Sequence, residues 1–360
     1  MENSFDLGKA VEDAINEALK KRGFVNILIA GKTGVGKSTL INAVFQGNFA
    51  ETGQGRPVTQ NTREIIKPGI PLTLYDTRGL ELKEFKETFV ELENFLKTKC
   101  SETDPQKHIH VAWLCIDENS RRIEDAEIQL CQLLSNYMPV IGVITKCIAD
   151  NGFKNEMQRL LPTAKNIMRV NSLSQKLDDG YVIKPSGLIH LVDITMDIVP
   201  EGQKMAFIAS QKVSMQQKKN KAHGIVAGAA TASAAAGASP IPFSDVFILV
   251  PIQISMLAGI TAVFGLDLQK SFLTTLISST ITGAGASILG RTIVTNLIKL
   301  IPFGGSVAGG VISAATAATL TTAFGEAYIA TLVALTSNKE IGDITQAEII
   351  EGFKTRFKNG

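Results

Sequence analysis

A stretch near the start of the chain, Gly31 to Thr39, has residue types and spacing that suit phosphate chemistry. It reads GKTGVGKST and contains the pattern GxxxxGKS, with Gly31, Gly36, Lys37 and Ser38 on the fixed positions. Glycines let backbone N–H groups approach phosphate oxygens closely, the lysine brings a positive charge, and the hydroxyl is a ligand for Mg²⁺. This stretch therefore predicts a site for a nucleoside triphosphate with Mg²⁺.

The residues on either side predict the elements that such a loop requires. Phe24 to Ala30 is a short apolar run typical of a buried strand, and Leu40 to Gln46 fits the first turns of a helix. A helix beginning there adds the positive end of its dipole to the phosphate site. We expect the loop to bind phosphate also through its other residues, Thr33, Gly34, Val35 and Thr39.

Two later segments supply further oxygen and N–H groups. Asp76 ends a predicted strand, where its carboxylate can reach the Mg²⁺ shell, and Gly79 can offer its N–H to the γ-phosphate. Thr59 and Thr62 are both candidates for a threonine that closes over Mg²⁺ when the γ-phosphate is present. We assign the metal to Ser38, Thr59 and Asp76, and catalysis to Lys37, Thr59 and Gly79.

Strands and helices alternate along the first 200 residues. A predicted hairpin, Thr62 to Lys67 with Leu72 to Tyr75, is followed by the buried strands His110 to Ile116 and Val140 to Thr145, with helical patterns between them. Such alternation predicts an α/β fold, a doubly wound and mostly parallel sheet with ligands at the carboxyl ends of its strands.

Composition divides the chain into two parts. Only six charged residues occur from 224 to 334, whereas charges are frequent before that stretch. The net charge of +2 predicts no nucleic-acid partner, and the four cysteines are typical of a reduced cytosolic protein. The four histidines have no spacing that suggests a metal site or a catalytic triad. The amphipathic N-terminus predicts a helix that covers the first part.

The motifs GKTGVGKSTLINAVF, PVT, DTRG, VITK and VNS resemble those of the Era-like and septin-like P-loop GTPases of the Ras superfamily, over roughly residues 20 to 200. The resemblance implies that GTP and GDP bind with Mg²⁺, that Thr59 lies in the first switch loop and that Asp76 to Leu80 opens the second. It also implies a set of residues around the guanine base: Thr145, Lys146, Asp150, Asn171 and Ser172.

One departure from that family concerns the base. The family reads guanine with [NT]KxD, whereas here Cys147 and Ile148 follow Thr145 and Lys146. Asp150 lies two residues after the position of the family's aspartate. Its carboxylate can contact the guanine base in place of that aspartate if the loop bulges. Guanine preference is therefore an inference from the resemblance more than from this motif.

The other departure concerns hydrolysis. Leu80 stands where Ras-like proteins place the glutamine that orients the attacking water. We expect slow intrinsic hydrolysis, completed by a protein partner, by a second copy of the chain, or by Arg56 or Arg63.

The second part resembles, over about Ala206 to Phe357, the uncharacterised helical domain that often follows bacterial G domains of this kind. The segments SPIPFSD, VPIQISML and EIIEGF carry this resemblance, which implies membrane association. Val246 to Leu266 is an uncharged run long enough to cross a bilayer. Two GxxxG pairs suit close helix packing in lipid, Gly224 with Gly228 and Gly305 with Gly309. A soluble bundle remains the alternative.

These observations predict an N-terminal helix (1–22), a G domain (23–200), a solvated linking helix (201–223) and a Gly/Ala-rich all-α domain (224–360). The predicted function is a GTP-dependent switch at the cytoplasmic face of a membrane. The alternatives are a dynamin-like or septin-like mechanoenzyme that dimerises across the nucleotide, and a soluble regulatory nucleotide-binding module.

Overall fold

A computed structural model describes residues 6–47, 49, 56–57, 59, 62–77, 85–237, 244–281 and 314–359. The chain divides into two units. Gly23–Ser214 forms the nucleotide unit, and Met1–Arg22 with Met215–Gly360 forms the helical unit.

The nucleotide unit is built on a seven-stranded sheet in the order β2-β3-β4-β1-β5-β6-β7. Strands β1 and β4 to β7 are parallel, whereas β2 and β3 run antiparallel to their neighbours. A small hairpin, β8 with β9, follows β7. The strands are β1 (Val25–Ala30), β2 (Arg56–Pro57), β3 (Thr62–Ile66), β4 (Leu72–Thr77), β5 (Val111–Asp117), β6 (Val140–Thr145), β7 (Asn166–Arg169), β8 (Gln175–Lys176) and β9 (Val182–Ile183).

Helices cover both faces of this sheet. They are α2 (Lys37–Val44), α3 (Phe85–Cys100), α4 (Asp125–Ser135), α5 (Phe153–Leu160), α6 (Leu188–Ile198) and α7 (Glu201–Ser210). Alternate residues of β1 point to opposite faces, so Ile27 and Ile29 pack with α2, α6 and α7, while Leu28 packs with α3, α4 and α5. The prediction of a mostly parallel α/β sheet with a hairpin at one side is confirmed.

Helix α7 belongs to the core of the nucleotide unit. Phe207 meets Phe45 edge-on at 6.2 Å between ring centroids, and Phe45 stacks on Trp113 at 5.5 Å. This differs from the expected single linking helix over 201–223, because the apolar face of α7 is buried in the sheet's core and the helix ends at Ser210. The division into units falls after Ser214.

The helical unit contains α1 (Leu7–Arg22), α8 (Met215–Gly237), α9 (Ser244–Phe264), α10 (Lys270–Ile281), α11 (Ala314–Thr336) and α12 (Gln346–Asn359). The expectation that the N-terminal helix covers the nucleotide domain is wrong: α1 packs against α9 and α10. Its apolar stripe includes Val11, Ala14 and Ile15, all buried.

Polar contacts between small side chains join the helices of this unit. Thr321 Oγ1 donates to Ser233 Oγ at 2.9 Å, and the hydroxyls of Thr261 and Tyr328 lie 2.8 Å apart. Lys218, expected in a solvated segment, is instead 2% exposed, and its Nζ donates to the Phe264 carbonyl at the end of α9 (3.3 Å).

The helices of this unit pack closely at a glycine that is not part of the predicted GxxxG pairs. A Cβ added at Gly325 would lie 2.5 Å from Val226 Cγ2, whereas one added at Gly224 or Gly228 would meet nothing within 4 Å. The other predicted pair, Gly305 with Gly309, falls outside the described residues.

The apolar helices also differ from the prediction. Within the described chain, one helix, Ala314–Thr336, is long and apolar enough to cross a membrane, with a mean hydropathy of 1.3 and 44% of its most apolar window buried by protein. The predicted run Val246 to Leu266 lies mostly in α9 (Ser244–Phe264), and most residues of its described apolar part, Leu249–Phe264, are buried inside the helical unit. Because protein buries this run, its apolar side chains serve the core of the helical unit. The apolar character of the run is therefore not by itself a sign of lipid contact.

Candidate functional site

The loop between β1 and α2 has the backbone conformation that its glycines allow. Gly31, Gly34 and Gly36 have φ values of 142°, 79° and 98°, all in the region that favours glycine. A Cβ at Gly31 would lie 2.3 Å from the Cys115 carbonyl oxygen. The loop therefore turns tightly over the end of β5 and can present its backbone to a ligand.

Lys37 and the start of α2 concentrate positive charge at this loop. Lys37 Nζ donates to the Gly31 carbonyl at 2.7 Å and to the Lys32 carbonyl at 3.0 Å, so the ammonium group lies within the turn. Helix α2 begins after Gly36 and has no side-chain cap. Its first N–H groups lack partners within the helix, which is the arrangement that binds anions. Thr33 and Ser38 are solvent-exposed, and Thr39 is half-buried.

The residues after β6 brace the loop from the side. Thr145 Oγ1 donates to the Val35 carbonyl at 2.5 Å. Lys146 Nζ donates to the Gly34 carbonyl and to Asp117 Oδ2, both at 2.7 Å. Both residues were assigned to the nucleotide from the sequence, and the structure places them against the phosphate loop.

Asp76 carries the structural indication of a cation. Its Oδ1 is buried and has no hydrogen-bond partner among the described residues. Burial raises the pKa of this carboxyl, against the opposing effects of the positive charges of Lys37 and of Arg63, which pairs with Asp76 across β3 and β4. A buried carboxylate oxygen of this kind is suited to a bound cation.

These donors fit Mg²⁺. The ion prefers oxygen ligands and usually combines one or two protein groups with phosphate oxygens and water. Asp76 and the hydroxyl of Ser38 would be such groups, and Mg²⁺ would supply positive charge beside the phosphates. The described residues contain no group of three His, Cys, Asp or Glu side chains able to hold a metal ion.

The switch segments are described in part. Thr59 Oγ1 accepts a hydrogen bond from the Thr62 backbone N–H at 2.9 Å, and Thr62 is buried at the start of β3. The Thr59 hydroxyl is therefore held within this turn. Gly79 and Leu80, as well as the side chain of Arg56, lie outside the described residues, so their assigned roles stay predictions.

Sequence reasoning missed a segment that holds the base-side loop. The segment is residues 117–121, which begins at the last residue of β5, and Glu118 is 1% exposed. Glu118 Oε2 accepts from the backbone N–H groups of Ile148 (2.6 Å) and Ala149 (3.0 Å), and Arg169 donates to its Oε1. The sequence did contain a signal for this segment. Asp117 and Glu118, in IDENSR, come at the carboxyl end of a buried strand, and ligands bind at such strand ends.

Two residues assigned to guanine have other partners. Asp150 Oδ1 accepts from the Lys154 backbone N–H at 2.9 Å, so this carboxylate helps to begin α5. Asn171 is 1% exposed, and its Nδ2 donates to the Lys184 carbonyl at 3.1 Å. Both side chains thus have partners in the local structure, and their contact with the base stays a prediction. Ser172, next in the chain, is half-buried and keeps its predicted role.

Two family models match the chain. Residues 26–146 match the family described as 50S ribosome-binding GTPase, and residues 201–354 match a domain of unknown function, DUF697. The first range contains the phosphate loop, Asp76 and Lys146, and the second contains the helical unit's α8 to α11.

Several curated proteins are similar to parts of the chain. Septin-14 of Mus musculus is 27% identical over 218 residues, which cover 53% of this chain and 50% of the septin. The probable GTP-binding protein EngB of Mycoplasmoides gallisepticum is 28% identical over 47% of this chain and 94% of its own length. Translocase of chloroplast 101 of Physcomitrium patens is 37% identical over 21% of this chain and 9% of its own length. The chain thus spans about half the septin and a small part of the translocase.

Proposed function

We propose that this chain, a P-loop GTPase domain followed by a DUF697 domain, is a Mg²⁺-dependent GTP switch that hydrolyses GTP slowly without a partner. The observation that carries the proposal is the meeting of Lys37, the uncapped start of α2 and the unpartnered Asp76 oxygen at one loop. Together these groups suit a triphosphate with its metal ion.

Each group has a physical role in this proposal. Lys37 neutralises the β- and γ-phosphates, Ser38 and Asp76 bind the metal ion, and Lys146 extends beside the phosphate loop towards the base. Thr59 is the switch residue of this proposal: its hydroxyl, which accepts from the Thr62 N–H, would bind the metal ion when the γ-phosphate is present. The nucleotide state would thereby decide the conformation of the segment that precedes β3.

Hydrolysis is expected to be slow in dilute protein. Leucine at position 80 cannot orient water by hydrogen bonding, so we expect a second protein molecule, or Arg56 or Arg63, to complete the site. Single-turnover phosphate release should rise with protein concentration or fall in Arg56→Ala or Arg63→Ala. Fast hydrolysis by dilute monomer that neither substitution changes would reject this part of the proposal.

Membrane coupling is the second part of the proposal. It is supported by the apolar helix α11 and by the lysines of α8, which include Lys219 and Lys221. Lysines near an anionic leaflet each contribute about 1 kcal/mol of binding. We expect the full chain to float with phosphatidylserine vesicles more than with phosphatidylcholine vesicles, and Lys219→Glu with Lys221→Glu to reduce that difference. Recovery of all the protein at the bottom of both gradients would favour the soluble regulatory module.

The likeness to septins favours one further candidate, a membrane mechanoenzyme that dimerises across the nucleotide. It predicts that GTP raises the molecular mass in sedimentation and that anionic vesicles increase GTP turnover. A monomer at every nucleotide state and concentration would exclude it and leave the switch.

A further inference from the structure

The loop after β6, residues 147–150, lies where P-loop GTPases read the guanine base, and the backbone N–H groups of its first three residues have acceptors. Glu118 Oε2 accepts from the N–H groups of both Ile148 and Ala149, at 2.6 and 3.0 Å. The other oxygen of this carboxylate accepts two hydrogen bonds from Arg169, at 2.6 and 3.0 Å. Hydrogen bonds and the positive charge of Arg169 lower the pKa of Glu118 despite its burial, so the carboxylate is ionised at neutral pH.

The carbonyl groups of the same loop are held by one arginine. Arg121 Nη2 donates to the Ala149 carbonyl at 2.5 Å, and Nη1 donates to the Asp150 carbonyl at 2.7 Å. Arg121 follows a short 3₁₀ turn, Glu118–Ser120, and has a positive φ of 50°. Segment 117–121 therefore fixes both sides of the loop's backbone, which leaves little freedom for the bulge that would redirect Asp150.

The carboxylates that this part of the described structure brings to the loop all bind protein groups. Asp117 binds Lys146, and Glu118 binds the loop and Arg169. Asp150 caps α5 through Lys154, with its Oδ1 3.7 Å from Arg169 Nε. Position 148, where the family pattern has its reading carboxylate, holds an isoleucine that is 53% exposed. An isoleucine side chain cannot accept a hydrogen bond.

We infer that this site does not read the N1–H and 2-amino groups of guanine through a carboxylate, so that inosine triphosphate binds nearly as tightly as GTP. Inosine triphosphate keeps the 6-oxo group of guanine and lacks only the 2-amino group. The inference rests on the proposed function, since it concerns the base specificity of the same nucleotide site.

The test measures the dissociation constants of the full chain for the Mg²⁺ complexes of GTP, inosine triphosphate and ATP. We expect GTP and inosine triphosphate to bind within tenfold of each other, with ATP weaker than both. In a site where a carboxylate binds the 2-amino group, loss of that group weakens nucleotide affinity by about tenfold or more. A weakening of inosine triphosphate by more than tenfold, with GTP still preferred over ATP, overturns the inference alone. Absence of GTP binding, or equal binding of ATP, rejects the proposed function instead.

Two substitutions provide an internal comparison. Ile148→Asp restores a carboxylate at the family position, on an exposed side chain, and should raise the preference for GTP over inosine triphosphate to tenfold or more. Asp150→Asn keeps an oxygen for the cap of α5 and should leave the ratio of the two dissociation constants within twofold of the wild-type value. A loss of GTP preference in Asp150→Asn would mean that Asp150 reads the base. That result overturns the inference whether or not Ile148→Asp folds.

Discussion

At the scale of single residues, the nucleotide site depends on charges held close to one short loop. Lys37 lies within the turn, Lys146 lies beside it, and Asp76 has a buried oxygen that no described protein group binds. Buried or partly buried charges of opposite sign attract strongly and cost desolvation when unpaired. A triphosphate with Mg²⁺ offers negative charge to the lysines and positive charge to the aspartate, so one ligand satisfies both.

His110 makes the nucleotide unit sensitive to acid. Its Nδ1 accepts from the Asn26 N–H at 2.9 Å, so Nε2 carries the proton and donates to the Pro105 carbonyl at 3.0 Å. Burial is the main cause that lowers the pKa of His110 in the folded chain. Below about pH 6.5 the unfolded chain then binds more protons than the folded chain, and the free energy of unfolding falls as the pH decreases.

We therefore predict that His110→Gln makes stability depend less on pH between 5 and 7. The single tryptophan, Trp113, lies in the core of this unit, and its fluorescence during urea unfolding reports the midpoint. His190→Gln, on the exposed surface of α6, is the control and should keep the wild-type slope. Equal slopes in all three proteins would show that His110 is not the titrating group.

The candidate phosphate-binding residues can be named from the sequence because their chemistry is local. GxxxxGKS contains its own ligands within eight positions, and the strand and helix it requires are adjacent. Glu118 and Arg121 could not be assigned in the same way, because they act on a loop about 30 residues later and no spacing rule connects the two segments. For Asp150, proximity in sequence does not show which group the side chain binds, and in the structure its Oδ1 accepts from the Lys154 backbone N–H.

At the scale of elements, α8 and α11 pack where glycine removes a side chain. Gly325 of α11 faces Val226 of α8 and Met256 of α9, at 2.5 Å and 3.0 Å from the position of an added Cβ. Gly224 of α8 faces open space. Two glycines inside helices thus have opposite packing environments.

The same substitution at these two glycines should have opposite effects. Gly325→Ala should destabilise the chain by about 1–3 kcal/mol, because the methyl group overlaps neighbouring side chains. Gly224→Ala should stabilise it by roughly 0.5–1 kcal/mol, because alanine favours the helix and meets nothing. Thermal unfolding followed by far-ultraviolet circular dichroism gives both shifts. Stabilisation by Gly325→Ala would contradict the packing described here.

Long periodic elements were predicted well, whereas short ones were not. The predicted strand Val140 to Thr145 is β6, and the predicted hairpin of Thr62 to Lys67 with Leu72 to Tyr75 corresponds to β3 and β4. The hairpin of β8 and β9 was missed because two-residue strands have no measurable alternation.

At the scale of the whole molecule, one unit contains the match to the 50S ribosome-binding GTPase family and the other contains most of the match to DUF697, and the N-terminal helix belongs to the second of these units. That assignment could not come from the sequence, since an amphipathic helix shows which of its faces is buried but not what buries it. The abrupt change in composition after residue 223 did predict a second unit. Its boundary was misplaced because the lysines of α7 and α8 concealed their buried residues.

The most direct test of this account is the affinity of the full chain for Mg²⁺ and GTP, measured by calorimetric titration for wild type, Lys37→Ala and Lys97→Ala. Lys97 is a surface lysine paired with Glu93 at 2.9 Å on α3, and it serves as the charge-matched control. We predict that Lys37→Ala weakens GTP binding by at least about tenfold, the cost of losing a charged hydrogen bond, while Lys97→Ala binds as wild type does. Equal GTP affinity in all three proteins, or no binding by wild type, would contradict the assignment of this loop as a nucleotide site.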